Sequence, residues 1–512
     1  MGKQYLLGYD IGTSGSKGVV IDFDGHVIAH ASREHGIEIP RPAWAEQDAD
    51  KLYWNEFQSI VRELLSNLDP GDIAAVGISG LSPDVICVDK NKNAIRKCIM
   101  YMDRRATAEC QWCRDHIGEE ELLAASGNVI DPFFAGYECI WVARNEPDIY
   151  ERTWKFITAH AYVVLKLTGE AVIDYGVAGL YAPFFDQIHY CWNEDMIARC
   201  GLSVDKFPSP RTAVEVVGAV TREAMEACGL MEGTPIIAGG GVDASCSGLS
   251  VGMVDAKDSA CMCGTTHCWQ VVLDKPQFDR HLITFPHVVP GRWITYAGLG
   301  TSGGVVKWFR DNFGDAELEY QRKRGVSAYE LLNLEAERTP KGADGLIVLP
   351  YFMGERSPIW DPFARGTFFG LSLYHNRGHM FRAIIEGIAL ALEHHAVYLR
   401  ERGQMPKRIV AVDGGAASNL ERQAMADVLK VPIDYMSKAG GAPLADAFLA
   451  GVGIGVYSDY HKIQEWCRYD VTNYPDPTAA ETYEKLYKVY VDLYLNTREQ
   501  MHALARLNDK PN

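Results

Sequence analysis

The sequence lacks the long apolar stretch that a membrane span requires, ~18 residues or more. Its first residues, Met1-Gly-Lys-Gln-Tyr-Leu-Leu-Gly-Tyr-Asp10, read as no signal peptide. It has no surplus of positive charge. Lys and Arg number 50 against 67 Asp and Glu, a net charge of -17. Basic clusters such as Lys90-Asn-Lys92 are short, whereas a nucleic-acid binder carries a basic footprint. There is no low-complexity linker. Cys110-Gln-Trp-Cys113, with His116 nearby, has no second Cys-x-x-Cys to complete a zinc site. These absences predict a cytoplasmic globular protein that binds neither nucleic acid nor membrane. The thirteen cysteines then read as reduced thiols, with Cys110 and Cys113 ordinary helix residues.

What is present suits two to four domains, at roughly 150 residues each, in 512 residues. An apolar run at 4–10, a second at 18–22 and a third entered through Asp24-Gly25 predict an antiparallel three-stranded meander. Leu52, Trp54, Phe57, Ile60, Val61 and Leu64 have helical spacing over 49–67. A strand at 74–79 is expected to turn back as a hairpin into 85–89, followed by helical segments from 103 to 167. A second unit is expected from about residue 235. There, Ser259–Cys263, Gly264-Thr-Thr and Trp269–Leu273 repeat the opening strand–turn–strand design. Further helices are predicted near 302–313, 376–402, 443–451 and 476–505, with strands at 345–349 and 408–412.

Four glycine-rich segments carry the chemistry. In Asp10-Ile-Gly-Thr13-Ser14-Gly-Ser-Lys17, glycines let successive N–H groups face one anion. The hydroxyls add donors, Lys17 adds a point charge, and Asp10 at a strand end suits Mg²⁺. The order is not that of a Walker A loop, and a plain glycine hairpin is the alternative. Gly264-Thr265-Thr266 is a second such turn. In Gly239-Gly-Gly-Val-Asp243, the carboxylate can accept a hydroxyl proton, or can merely cap a helix. Asp413-Gly-Gly415-Ala-Ala-Ser-Asn419 permits close approach of a flat ligand, or is a tight strand-to-helix turn.

In this order and at these separations the four motifs resemble the FGGY family of carbohydrate kinases, with a xylulokinase-like flavour. Tyr351-Phe-Met-Gly-Glu-Arg-Ser-Pro358 and Ala364-Arg-Gly-Thr-Phe-Phe-Gly-Leu371 carry the same resemblance. It implies an α/β fold: two actin-like (ribonuclease-H-like) domains with mixed central sheets flanked by helices and an ATP cleft between them. The domains are expected at 1–244, sugar-binding, and 245–512, ATP-binding, with the terminal helix packing back. The resemblance implies that Asp10 serves Mg²⁺ and that Thr13, Ser14 and Lys17 face the transferred phosphate. Lys17 stands where arginine is frequent. It further implies that Asp243 is the catalytic base and that Gly264, Thr265, Gly303, Lys307, Gly415 and Asn419 contact ATP. On the sugar side it implies Trp44, Asp103, Ser82 and Asp243.

Bacterial xylulokinases carry Gln-Met-His where this chain has Leu81-Ser82-Pro83. The expected reaction is therefore ATP- and Mg²⁺-dependent phosphorylation of a small sugar, a ketopentose such as xylulose. Ribulose, erythritol, glycerol, gluconate and autoinducer-type acceptors stay open. An actin- or chaperone-like ATPase is the reading from another class. A homodimer is the expected assembly.

Overall fold

The computed structural model describes residues 3–508. It contains two compact units. The first comprises 1–256, 272–295 and 440–467, and the second comprises 257–271, 296–439 and 468–512.

The first unit opens with the expected meander: β1 (Tyr5–Gly12), β2 (Gly15–Asp22) and β3 (Val27–Glu34), each antiparallel to the next. β1 is central, so Leu6, Leu7, Tyr9 and Ile11 are buried on both faces. β4 (Ile73–Gly80) runs parallel to β1. β5 (Val216–Ala219), β6 (Pro235–Ile237) and β7 (Gly241–Val242) complete a sheet of order β5-β6-β4-β1-β2-β3, with β7 beside β4. A two-part helix covers one face. Ala49–Trp54 is wound as a π-helix and continues into α1 (Asn55–Leu64), whose Phe57, Ile60, Val61 and Leu64 enter the core. α2 (Ala159–Thr168) is buried almost throughout, and α3 (Asp243–Ser250) follows β7 directly.

Two expectations change here. Residues 86–88 form a strand, but its partner is 155–157, not β4. Pro83 has no N–H for a hairpin ladder, and the Asp84 carboxylate accepts instead from Ala159 N at 2.9 Å and Cys98 Sγ at 3.2 Å. The strand at 235 does not start the second unit. β6 lies parallel to β4 and antiparallel to β5, inside the first sheet.

In the second unit, β8 (Ser259–Cys263) and β9 (His267–Leu273) form a hairpin. β10 (Ile409–Val412) and β11 (Ile433–Tyr435) extend the sheet in parallel from β8, and β12 (Val471–Asn473) closes it antiparallel. The order β9-β8-β10-β11-β12 thus repeats β2-β1-β4-β6-β5 with every strand direction matched. The faint sequence repeat is a repeat of topology. α4 (Gly303–Phe313), the 25-residue α5 (Arg377–Glu401) and α6 (Asn419–Leu429) belong to this unit.

The chain then returns to the first unit as α7 (Gly441–Gly453), which packs on β1 and β4. No single cut of the chain separates the units for this reason. α8 (Ala480–Asn508) packs against the second unit, with Tyr483 donating to Glu386 at 2.8 Å and Tyr494 to Asp361 at 2.8 Å. No helix among the described residues is long and apolar enough to cross a membrane.

Candidate active site

The register of the first hairpin sets Asp10 directly opposite Lys17. The loop between them is turned by three carbonyl contacts. His35 Nε2 lies 3.1 Å from Gly12 O, Gln47 Nε2 donates to Thr13 O at 3.0 Å, and His35 N donates to Ser14 O at 3.0 Å. Carbonyl oxygens repel anions, so engaging them elsewhere suits an anion-binding turn. Thr13 is half-buried with its hydroxyl 3.3 Å from Tyr101 OH, while Ser14 and Lys17 are exposed.

Asp10 is buried and accepts from Ser79 Oγ at 3.2 Å. Burial pushes its carboxyl up to about 6, against the opposing pull of Lys17 and Ser79. Asp243 is the first residue of α3, one position past the cap, so it is not the N-cap that the sequence allowed. Its Oδ1 accepts from the adjacent Ala244 N at 2.7 Å. Burial, then the charge of Asp10, push Asp243 up to about 8. Burial thus raises both acids, and the charge of Asp10 raises Asp243 further, which suits the two for proton transfer or for a cation.

The glycine turn before Asp243 is required by its neighbours. A Cβ at Gly239 would lie 2.6 Å from the His160 ring. One at Gly240 would lie 1.7 Å from Asp446 Oδ1, and one at Gly241 3.3 Å from Asp174 Oδ1. His160 and Asp174 are themselves buried, with Nε2 and Oδ2 3.1 Å apart. A side chain at any of these glycines would displace the segment that delivers Asp243.

The residues that the resemblance assigns to the sugar are placed differently. Asp103 is fully buried, and its oxygens already accept from Ala45 N (2.6 Å), Arg105 N (2.7 Å), Arg105 Nε (2.9 Å) and Arg105 Nη2 (2.7 Å). Four donors fill a carboxylate's lone pairs. Asp103 therefore orients Arg105, whose guanidinium stacks 3.8 Å from the Trp44 ring centre. Arg41 approaches the same ring at 4.6 Å. Ser82, just past β4, donates to Gly80 O at 3.3 Å.

In the second unit the glycines that the resemblance assigns to ATP converge. Thr265 O accepts from Gly304 N at 2.9 Å and Ser302 N at 3.2 Å, which seats the start of α4 on the Gly264-Thr265 turn. A Cβ at Gly303 would lie 2.3 Å from Gly264 O, and one at Gly415 2.6 Å from Glu421 Oε1 and 2.9 Å from Cys263 O. Buried His267 joins these pieces, with Nδ1 against Ser302 Oγ and Nε2 2.8 Å from Glu421 Oε1. Burial opposes a charged imidazole here, but Cys263 and Glu421 outweigh it and push His267 up to about 10. Cys263, His267 and Glu421 have metal-ligand chemistry, yet both ring nitrogens already have partners, so the cluster works as a pin. Lys307 and Asn419 are exposed. Lys307 pairs with Asp311 at 2.7 Å, and Asn419 accepts from Asn473 Nδ2 at 3.0 Å.

Sequence reasoning missed Ser79, Asp446, His267 and Glu421. Ser79 and Asp446 had a readable signal, being lone polar residues in otherwise apolar segments. His267 and Glu421 had none, because their partners are distant in the chain.

The model of the FGGY family of carbohydrate kinases, N-terminal domain, matches residues 5–249, and that of the C-terminal domain matches 259–454. A gluconokinase of Bacillus licheniformis is 28% identical over 96% of this chain and 95% of its own. A xylulose kinase of Escherichia coli (strain K12) is 28% identical over 95% of this chain and 98% of its own. The crystal structure of xylulose kinase from Rhodospirillum rubrum has 30% identity, a TM-score of 0.89, and covers 98% of this chain and 100% of that one.

Proposed function

Because the chain belongs to the FGGY family of carbohydrate kinases, we propose that it transfers a phosphoryl group from ATP to a hydroxyl of a small sugar, a ketopentose such as xylulose. The observation that carries this reading is a pair of raised carboxyls: buried Asp10 opposite Lys17, and half-buried Asp243 at the end of a glycine turn, pushed up by desolvation and by the charge of Asp10. Full-length likeness to gluconokinases supports gluconate as the second acceptor. We take a homodimer as the assembly.

Kinases of this family use ATP, generally with Mg²⁺. The residues fit a hard cation, which prefers oxygen ligands, because a positive charge beside Asp10 relieves the repulsion with Asp243. Asp10 would hold Mg²⁺, which when bound neutralises charge on phosphate oxygens. Asp243 accepts the proton of the attacking hydroxyl. Thr13, Ser14 and Lys17 orient the transferred group by hydroxyls and a point charge. Gly264, Thr265 and Gly303 bring backbone close to the nucleotide phosphates, and Gly415 clears space for its adenosine end, with Lys307 and Asn419 as flanking contacts. Trp44, held by Arg105 and thus by Asp103, forms a wall of the sugar pocket together with Ser82. In place of a Met-His pair, Ser82 and Pro83 offer one small hydroxyl and no cation, which alters hydroxyl recognition.

An ADP-release assay across ketopentoses, gluconate, tetritols and glycerol tests the reading. Xylulose is expected to give the highest kcat/KM. Gluconate in first place would select the second acceptor, and ADP release indifferent to every acceptor would overturn kinase function.

A further inference from the structure

α7 is an apolar helix with one exception. Ala442, Pro443, Leu444, Ala445, Ala447, Phe448, Leu449 and Ala450 are buried, and so, completely, is Asp446. Among the described residues no Lys, Arg or His pairs with it. Its Oδ2 lies 2.7 Å from Ser79 Oγ and its Oδ1 lies beneath Gly240, with the Cys246 thiol and the Ser79 backbone N–H as further neighbours of the carboxyl. The same Ser79 Oγ lies 3.2 Å from Asp10 Oδ1. A serine hydroxyl has one proton, and ionised carboxylates only accept. One proton cannot satisfy both contacts. Both are satisfied if Asp446 carries a proton, donates it to Ser79 Oγ, and leaves the Ser79 proton for Asp10.

An ionised carboxylate without a cationic partner is also costly at this depth. Burial, and then the charge of Asp10, hold the Asp446 carboxyl well above the usual carboxylate range. Cys246, one turn into α3, donates its thiol to Gly240 O, so the turn leading to Asp243 is packed between α3 and Asp446.

We propose that Asp446 is a positioning residue: a neutral carboxylic acid that aims the Ser79 proton at Asp10 and supports the Gly240 turn that delivers Asp243. The consequence for turnover rests on the kinase reading above. The protonation state does not.

Asp446→Ala, Asp446→Asn and Ser79→Ala test it. Alanine at 446 frees Ser79 and is expected to lower kcat about tenfold or more, the worth of one good hydrogen bond, with KM for sugar little changed. Asparagine restores most of that loss, because its amide donates to Ser79 without charge. Ser79→Ala, which leaves α7 intact and guards against a folding artefact, is expected to match Asp446→Ala. In protein labelled with ¹³C at aspartate carboxyls, one protonated resonance at pH 7 is expected to vanish in Asp446→Asn. Asparagine as damaging as alanine, or no protonated resonance lost, would overturn the proposal. The resonance reads out even in a protein that phosphorylates no acceptor, so failure of the kinase reading is separable.

Discussion

Gly8 and Gly77 are register partners on the parallel strands β1 and β4, and the backbone of α7 fills the space where both side chains would stand. A Cβ at Gly8 would lie 1.8 Å from Pro443 O, and one at Gly77 2.1 Å from Asp446 O. The pair is a notch that lets a helix from late in the chain sit on the first sheet. We expect Gly77→Ala to lose about 3 kcal/mol of stability, the upper range for overpacking, because the obstacle is backbone and cannot rotate away. Urea unfolding checks this. A variant as stable as the parent would show that α7 is not held there.

Gly303→Ala separates helix propensity from ligand geometry. Alanine favours helices by up to ~1 kcal/mol over glycine in an interior position. Its Cβ, however, would meet Gly264 O at 2.3 Å and push α4 away from the Gly264-Thr265 turn. The expected result is a KM for ATP raised about tenfold with a smaller change in kcat, the signature of lost uniform binding. Steady-state kinetics at saturating sugar would show it.

The raised carboxyl of Asp243 has a consequence for stability. The folded state holds this proton up to about pH 8, whereas an unfolded aspartate releases it near 3.8. Folded protein thus binds more protons over that window, and this group's contribution to stability falls as pH rises through it. Asp243→Asn cannot ionise. Its advantage over the parent, in metal-free buffer, is expected to grow from pH 5 to pH 8 and then level off. Thermal melts at stepped pH would reveal a flat difference if Asp243 is not perturbed.

Asp103→Ala should act on folding before it acts on sugar. All four contacts of the carboxylate are internal, and its removal leaves Arg105 with Glu46 at 2.9 Å as its remaining anion. Breaking a buried pair from one side costs about 3–5 kcal/mol. The variant is expected to melt well below the parent while Asp103→Asn recovers part of the loss. Unchanged melting with a large rise in sugar KM would instead make Asp103 a direct ligand.

The two glycine-threonine hairpins were legible because turns after apolar strands are local features. Asp10, Thr13 and Lys17 lie within eight residues, and the hairpin register follows from alternation and turn length. The pairing of 86–88 was not legible. A short apolar strand states its own extent, but its partner is chosen by what Asp84 can bind at Ala159 and Cys98. The part played by Asp103 was hidden for a related reason. A carboxylate in an Asp-x-Arg pattern reads the same whether it faces a ligand or its own arginine.

By itself the sequence determined the opening meander, the hairpin at 259–273, the glycine turns and the family that unites them, since each depends on contiguous residues. The tertiary structure decided the rest: that residues 440–467 belong to the first unit, that Ser79 stands between Asp10 and Asp446, and that His267 pins Ser302 to Glu421. These are contacts between residues up to 367 positions apart. They exist because buried polar groups must find partners wherever packing brings them, and no local pattern records that choice.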